Sequence, residues 1–276
     1  MPRSAHHAAS GADMADTKAV FNDGAAYERF MGRWSRIAGS AFLKWLAPPT
    51  HAQWLDVGCG TGAFTELVCD SCSPASLIGV DPSAEQIEYA RSLPIARFAE
   101  FKVADALDLP FPDRTFDVVA SALVINFLSD RARGLAEMRR VGKPGGVIAG
   151  YIWDFAGGRG TAGPLMKAMR AIGIEPPTIP GTDGSRVEAL QSLFGDAGLR
   201  GIEACRIEIE PTYRDFDDYW SSQTPAFTPV GKLVRTLTEA ERSRLRNTVM
   251  DALGSNADGS ISYSACANAI KARVPE

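Results

Sequence analysis

The stretch LDVGCGTGAF, Leu55–Phe64, decides how the rest of the chain is read. An apolar run ends on an aspartate, Asp56, and then breaks into glycines at Gly58, Gly60 and Gly62. Glycines after a strand let the backbone approach a ligand closely, and the helix that follows points its N–H groups there. Gly58, Gly60 and Ala63 also satisfy the G-x-G-x-x-G/A pattern of dinucleotide-binding loops. Asp56 is the discordant residue, because a carboxylate at that place repels a pyrophosphate.

Outward from this loop, strand and helix patterns alternate. Residues 27–46 carry Phe30, Trp34, Ile37, Ala38, Phe42, Trp45 and Leu46 at helical spacing, and Pro48-Pro49 ends the run. The expected order is then strand 52–57, helix 62–71, strand 76–81, helix 83–93, strand 98–105, strand 115–121, helix 130–142 and strand 145–153. Ser83 stands where an N-cap belongs. Units of this kind build a parallel, doubly wound sheet. After Trp153 the rhythm changes. A glycine-rich loop leads to a helix over 165–174, a proline-rich 175–184, a helix over 185–199 and an alternating strand over 200–210. Residues 215–253 read as helical, and 260–274 as a last strand. Residues 1–20 read as a disordered tail, and 21–276 as one domain with lid segments at 21–47, 154–184 and 212–253.

The composition is that of an ordinary globular domain: 276 residues, 45% hydrophobic and 22% charged. A net charge of −4 gives no general attraction to nucleic acid or anionic membranes. No apolar run reaches the roughly 18 residues of a membrane span, and the N-terminus lacks a signal-peptide core. Five cysteines, an odd number in a long chain, argue against a disulfide framework and fit a cytoplasmic setting. Cys69 and Cys72 form a C-x-x-C, but the histidines are only His6, His7 and His51, so no metal site is expected. Gly158 and Gly163 have phosphate-loop spacing, yet Pro164 stands where the lysine belongs. NADGS, 256–260, fails as a calcium loop because Gly254 and Ala265 would occupy its carboxylate positions.

Three features choose between a nicotinamide dinucleotide and an adenosyl-methionine cofactor. Asp56 suits a ligand with positive charge, such as an amino-acid ammonium near a sulfonium. Asp81 ends the second strand, where a carboxylate accepts from ribose hydroxyls, and Asp105 ends the third, within reach of an adenine amino group. No second mononucleotide half follows the fifth strand.

LDVGCGTG, GVDPS, ADALDLPFPDRTFDVVAS and VGKPGG resemble, in order and spacing across about residues 50–153, the successive motifs of class I S-adenosylmethionine-dependent methyltransferases. The chain is most similar to the small-molecule branch related to ubiquinone and menaquinone biosynthesis. The resemblance implies a mostly parallel, Rossmann-like sheet of seven strands with the last one antiparallel, and S-adenosylmethionine as cofactor. It implies that Gly58, Gly60 and Gly62 lie under the methionine part and that Asp56 orders the loop and the ammonium. It assigns Asp81 to the ribose with Pro82 or Gln86 nearby, Asp105 and the Ala106 backbone to the adenine, and Ser121 and Ala122 to the methionine side. Tyr27 is then expected to close over the cofactor and Arg33 to pair with its carboxylate; both residues equally fit an amphipathic helix surface.

Many relatives carry a histidine soon after the fourth strand, where this chain has SALVINFLSD with Asn126. The catalytic candidates are therefore Asp154, Tyr151 and Asn126, at strand ends, with Asp154 equally suited to capping a loop. No Asn-Pro-Pro-aromatic run and no Pro-Cys dipeptide mark a nucleic-acid methyltransferase. Phe30, Trp34, Trp153, Phe155, Tyr219, Trp220 and Phe227 either line an apolar acceptor pocket or pack the lid on the sheet. The expected function is methyl transfer to a small hydrophobic or aromatic acceptor. The alternatives are an S-adenosylmethionine-binding protein without catalysis and, on the glycine pattern alone, a nicotinamide oxidoreductase.

Overall fold

A computed structural model describes residues 24–276 apart from Phe227, with side chains from Trp34 onward. The tail 1–20 and the side chains of Tyr27, Phe30 and Arg33 lie outside the described residues. The first helix, α1 (Gly24–Leu46), leads into β1 (Gln53–Val57), α2 (Ala63–Cys72), β2 (Ser76–Asp81), α3 (Ala84–Ser92), β3 (Glu100–Val103) and β4 (Phe116–Ala122). The chain continues through α4 (Arg131–Val141), β5 (Gly142–Trp153), α5 (Gly163–Ala171), α6 (Val187–Asp196) and β6 (Arg200–Ile209). A two-residue β7 (Thr212–Tyr213) precedes α7 (Phe216–Gln223), α8 (Pro229–Thr236) and α9 (Glu239–Leu253), and β8 (Ile261–Ser262) and β9 (Ala265–Arg273) close the chain.

Seven strands form one sheet in the order β3-β2-β1-β4-β5-β9-β6. Strands β1 to β5 pair in parallel, and β9 runs antiparallel to both β5 and β6. Chain order reverses between β1 and β4, so the crevice at their carboxyl ends is where such sheets bind ligands. Both faces are covered. Trp54 packs on one face with Trp34, Phe42 and Tyr151, while Leu55 and Val57 pack on the other with Leu135, Met138 and Phe194. Asp56, two residues from Trp54, shares the first face.

Helix α1 lays Trp34, Ala38, Phe42 and Leu46 in a stripe against the sheet, one residue per turn. Gly39 permits its close approach to α2, since a Cβ there would stand 2.7 Å from Leu67 Cδ1. Because α1 ends beside the amino-terminal edge of β1, its Trp34 end lies toward the strand carboxyl ends.

Several boundaries differ from expectation. Residues 215–253 are three helices, because Thr228 and Thr238 each restart a helix. Thr228 Oγ1 accepts from Gly231 N with Pro229 in the first turn, and Thr238 forms a capping box with Glu241. The last strand begins at Ala265, and Ile261–Ser262 instead pairs with Thr212–Tyr213 as a separate ribbon. The third strand shrinks to Glu100–Val103, and the fifth starts early, at Gly142, through an irregular register with β4.

Phe42 is fully buried, 4.9 Å from the Tyr151 ring and 5.9 Å from Phe64. Phe42→Ala is expected to lower stability by about 3–5 kcal/mol in denaturant titrations. A loss below about 1 kcal/mol would contradict the docking of α1 on the sheet.

Candidate functional site

The loop between β1 and α2 is built from backbone that only glycine adopts freely. Gly58, Gly60 and Gly62 all have positive φ, at 79°, 53° and 88°. Gly58 and Cys59 donate their N–H groups to Val80 O at 2.8 and 2.9 Å, which ties the loop to the end of β2. Side chains crowd it as well. A Cβ on Gly58 would lie 2.5 Å from Val124, and one on Gly62 would lie 3.1 Å from Phe101.

Asp56 sits beneath this loop with no exposed surface. Thr65 Oγ1 donates to its Oδ2 at 2.6 Å, while Oδ1 has no hydrogen-bond partner. Burial pushes its pKa up to about 7, against the Thr65 hydrogen bond, with the nearby Asp81 charge adding a smaller push. Gln86 supplies a second orphan acceptor: its Oε1 is buried and unpartnered, 3.0 Å from where a Gly60 Cβ would stand. Two buried acceptors without donors flank one glycine loop. A ligand rich in N–H donors and positive charge satisfies both.

Asp81 braces the loop from the other side. Its Oδ2 accepts from Gly60 N at 3.1 Å and its Oδ1 from Ser83 N at 2.9 Å. Burial raises its pKa, opposed by these two backbone donors. Each oxygen keeps a further lone pair, so each can accept a second donor without releasing the loop. Pro82 is exposed beside it. Asp105 is exposed and caps its own turn by accepting from Leu107 N at 2.9 Å, and Ala106 is buried. Ala122 faces the Asp56 side of the sheet; Ser121 faces the other, its buried Oγ without a partner. These positions share the carboxyl edge of the sheet. Tyr27 and Arg33 belong to α1, their side chains outside the described residues.

The catalytic candidates lie along the same edge in different surroundings. Tyr151 is buried between Phe42 and Phe64, and its hydroxyl is 3.3 Å from the Gly39 Cβ position. Asn126 holds the proline-rich segment, donating Nδ2–H to Pro180 O at 3.3 Å, while its Oδ1 is buried and unpartnered. Asp154 turns back on its own loop and accepts from Gly157 N at 2.9 Å. Thr65 went unread in the sequence, although its place three residues after Gly62, on the first turn of a helix facing Asp56, was the available signal. Of the seven aromatic candidates, Trp34, Trp153 and Tyr219 are buried together and Phe155 and Trp220 are partly covered; Phe30 and Phe227 lie outside the described side chains. Tyr213 and Tyr263 join them. A surface hollow lined by Ser40, Lys44, Thr50 and Ser73 lies at the opposite, amino-terminal edge. Among the described residues no cluster of metal-ligating side chains occurs, and no helix is long and apolar enough to cross a membrane.

The raised pKa of Asp56 fixes the sign of a pH effect. Between about pH 4 and 7 the folded protein keeps a proton that the unfolded chain has released, so stability falls as pH rises through that window. Without ligand, Asp56→Asn is expected to remove a loss of order 4 kcal/mol, read as a smaller drop in urea midpoint between pH 4 and pH 8. An equal drop in both proteins would contradict the burial of an unpaired carboxylate.

Residues 55–150 match the family model described as a methyltransferase domain. The chain is 32% identical over 181 residues to the O-methyltransferase cnsE of Penicillium expansum, covering 62% of this chain and 61% of that one. It is 35% identical over 119 residues to a demethylmenaquinone methyltransferase of Bacteroides fragilis, covering 42% of this chain and 47% of the relative. Other matched relatives are tRNA methyltransferases by name. The chain thus spans less than two thirds of the length of each of these curated relatives. The phosphoethanolamine N-methyltransferase 2 of Haemonchus contortus, solved with S-adenosyl-L-methionine, superposes with a TM-score of 0.58 at 18% identity, covering 98% of this chain and 61% of that one, which establishes a shared fold. Residues 55–150 thus carry a methyltransferase domain, on the fold of a methyltransferase that binds S-adenosyl-L-methionine.

Proposed function

We propose that the protein transfers a methyl group from S-adenosylmethionine to a small, hydrophobic or aromatic acceptor by in-line displacement. The observation that carries this is the orphan Oδ1 of Asp56, a buried anion without a countercharge under a glycine loop. An ammonium supplies both the charge and the donors that this oxygen lacks, whereas a pyrophosphate adds like charge. The bound cofactor supplies an electrophilic methyl on a sulfonium, whose C–S electron pair returns to sulfur. Residues 21–276 act as one domain, with 21–47, 154–184 and 212–253 covering the strand ends.

The chain's own part is positioning. Asp81 receives the ribose hydroxyls while holding Gly60, Gln86 and Pro82 flank them, and Asp105 with the Ala106 backbone receives the adenine. Ser121 and Ala122 bound the methionine side, and Tyr27 and Arg33 close it from α1. Alignment of this kind supplies up to roughly 7–11 kcal/mol in ideal intramolecular cases. Where the acceptor atom carries a proton, Asp154 is the base among the three candidates. Asn126 is an amide with no basicity near neutral pH, and Tyr151 is enclosed by Phe42 and Phe64. The O-methyltransferase and demethylmenaquinone methyltransferase relatives support a small-molecule acceptor, and the aromatic interior of the cover favours an apolar one over nucleic acid.

Asp81→Ala removes hydrogen bonds worth about 1.5–3 kcal/mol each and is expected to weaken S-adenosylhomocysteine binding at least about 100-fold by calorimetry. Unchanged affinity would remove Asp81 from the ribose site. Cofactor affinity is also expected to rise with pH as Asp56 ionises near pH 7, and to lose that dependence in Asp56→Asn. A pH-independent wild type would break the link between Asp56 and the ammonium.

A further inference from the structure

Three buried polar atoms where the cover meets the end of β5 have no hydrogen-bond partner: Trp153 Nε1, Tyr219 Oη and Gln223 Oε1. They border one cluster of rings. Trp34 meets Trp153 edge-on at 6.0 Å, Tyr263 at 6.0 Å and Tyr213 at 6.2 Å. Tyr213 in turn meets Tyr219 edge-on at 5.3 Å and accepts a hydrogen bond from Gln223 Nε2 at 3.1 Å. The cluster stands at the carboxyl edge of the sheet. Trp153 ends β5, Tyr263 lies between β8 and the antiparallel β9, and Tyr213 follows β6. That is the edge carrying the glycine loop.

Buried polar atoms are nearly always paired, and an orphan hydroxyl or amide in an apolar interior is costly. Tyr263 obeys the rule, donating to Gly160 O at 2.7 Å. Trp153, Tyr219 and Gln223 do not, although each is at most 4% exposed. Together they offer one donor, one hydroxyl that donates and accepts, and one acceptor. Among the described residues, two cations at the rim are committed: Arg159 pairs with Glu208, and Arg246 pairs with Asp217 while lying over Phe216 and Trp220.

We propose that Trp153, Tyr219 and Gln223 are the specificity-determining residues for the methyl acceptor, and that they seat an uncharged polar group, of which a hydroxyl is the simplest, with the acceptor's apolar body against the Trp34 ring cluster. Among the described residues a carboxylate or phosphate meets there the Gln223 acceptor oxygen and only cations already paired at the rim, so anionic acceptors are disfavoured. The inference rests on the methyl-transfer assignment above and adds the chemistry of its acceptor.

The test uses three probes that share one ethylphenyl body, 4-ethylphenol, ethylbenzene and 4-ethylbenzoate, titrated calorimetrically into protein saturated with S-adenosylhomocysteine. The phenol is expected to bind at least about 10-fold tighter than the other two. Tyr219→Phe and Trp153→Phe are each expected to bring the phenol to the level of ethylbenzene and to leave S-adenosylhomocysteine affinity unchanged. Tyr219→Phe is further expected not to lower Tm, because it deletes an unpaired buried hydroxyl; a purely structural tyrosine would show the reverse pattern. The proposal is overturned by equal affinity for all three probes, tighter binding of the benzoate, no binding of any probe, or phenol affinity unchanged in both variants. Intact S-adenosylhomocysteine binding alongside such a result leaves the cofactor assignment standing, whereas absence of that binding overturns both.

Discussion

A carboxylate with one hydrogen bond, sealed under a glycine loop, is the constraint on which the rest of the site depends. Asp56 spends one oxygen on Thr65 and leaves the other bare. Burial alone disfavours such a group, as its raised pKa records. Nothing in the fold of the sheet requires an acid there, since Trp54 and Leu55 show how the same strand fills its surroundings with apolar atoms. The stability forfeited at Asp56 is recovered when a cation arrives, so the site is poised for a ligand of that charge.

The neighbouring residues keep that oxygen where a ligand meets it. Gly58 and Cys59 hang from Val80 O, and Asp81 holds Gly60, so the loop is fixed to the end of β2 rather than to the ligand. On the other flank, Leu123 takes a left-handed backbone at φ 63° just past β4, held by its N–H to Tyr151 O at 2.8 Å. A branched residue in that conformation carries strain, and Val124 is thereby pressed against Gly58. The cover is fastened with equal care. Asn126 grips Pro180 O, and Asn268 donates to Ser185 O at 2.7 Å, tying the proline-rich segment to the sheet.

The parallel half of the molecule was legible because its signals are local. Glycines with one geometric use, aspartates ending successive strands and short apolar runs each specify their own structure, and Asp56 beside them pointed to a cation. The cover was less legible because its structure depends on partners far apart in sequence. Thr212–Tyr213 pairs with Ile261–Ser262 across some fifty residues, a contact that no periodicity announces. The caps at Thr228 and Thr238 were written in the sequence but masked by a helical pattern running through both. Asn126 stood out as a substitute for histidine, while its hold on Pro180 emerged only from the folded chain. The aromatic candidates were legible as a set, but which of their polar atoms stay unpaired is a property of packing.

Cofactor loop and cover face the same edge of one sheet, with a charged orphan on one side and neutral orphans on the other. That division matches a reaction in which a cationic donor and an uncharged acceptor approach from opposite sides. The most direct measurement is a paired calorimetric titration of the protein at pH 8 with S-adenosylhomocysteine and with NAD. Saturable micromolar binding of S-adenosylhomocysteine and no heat from NAD is the expected result. Micromolar binding of NAD, with none of the sulfonium-derived ligand, would contradict the assignment of Asp56 as the partner of an amino-acid ammonium.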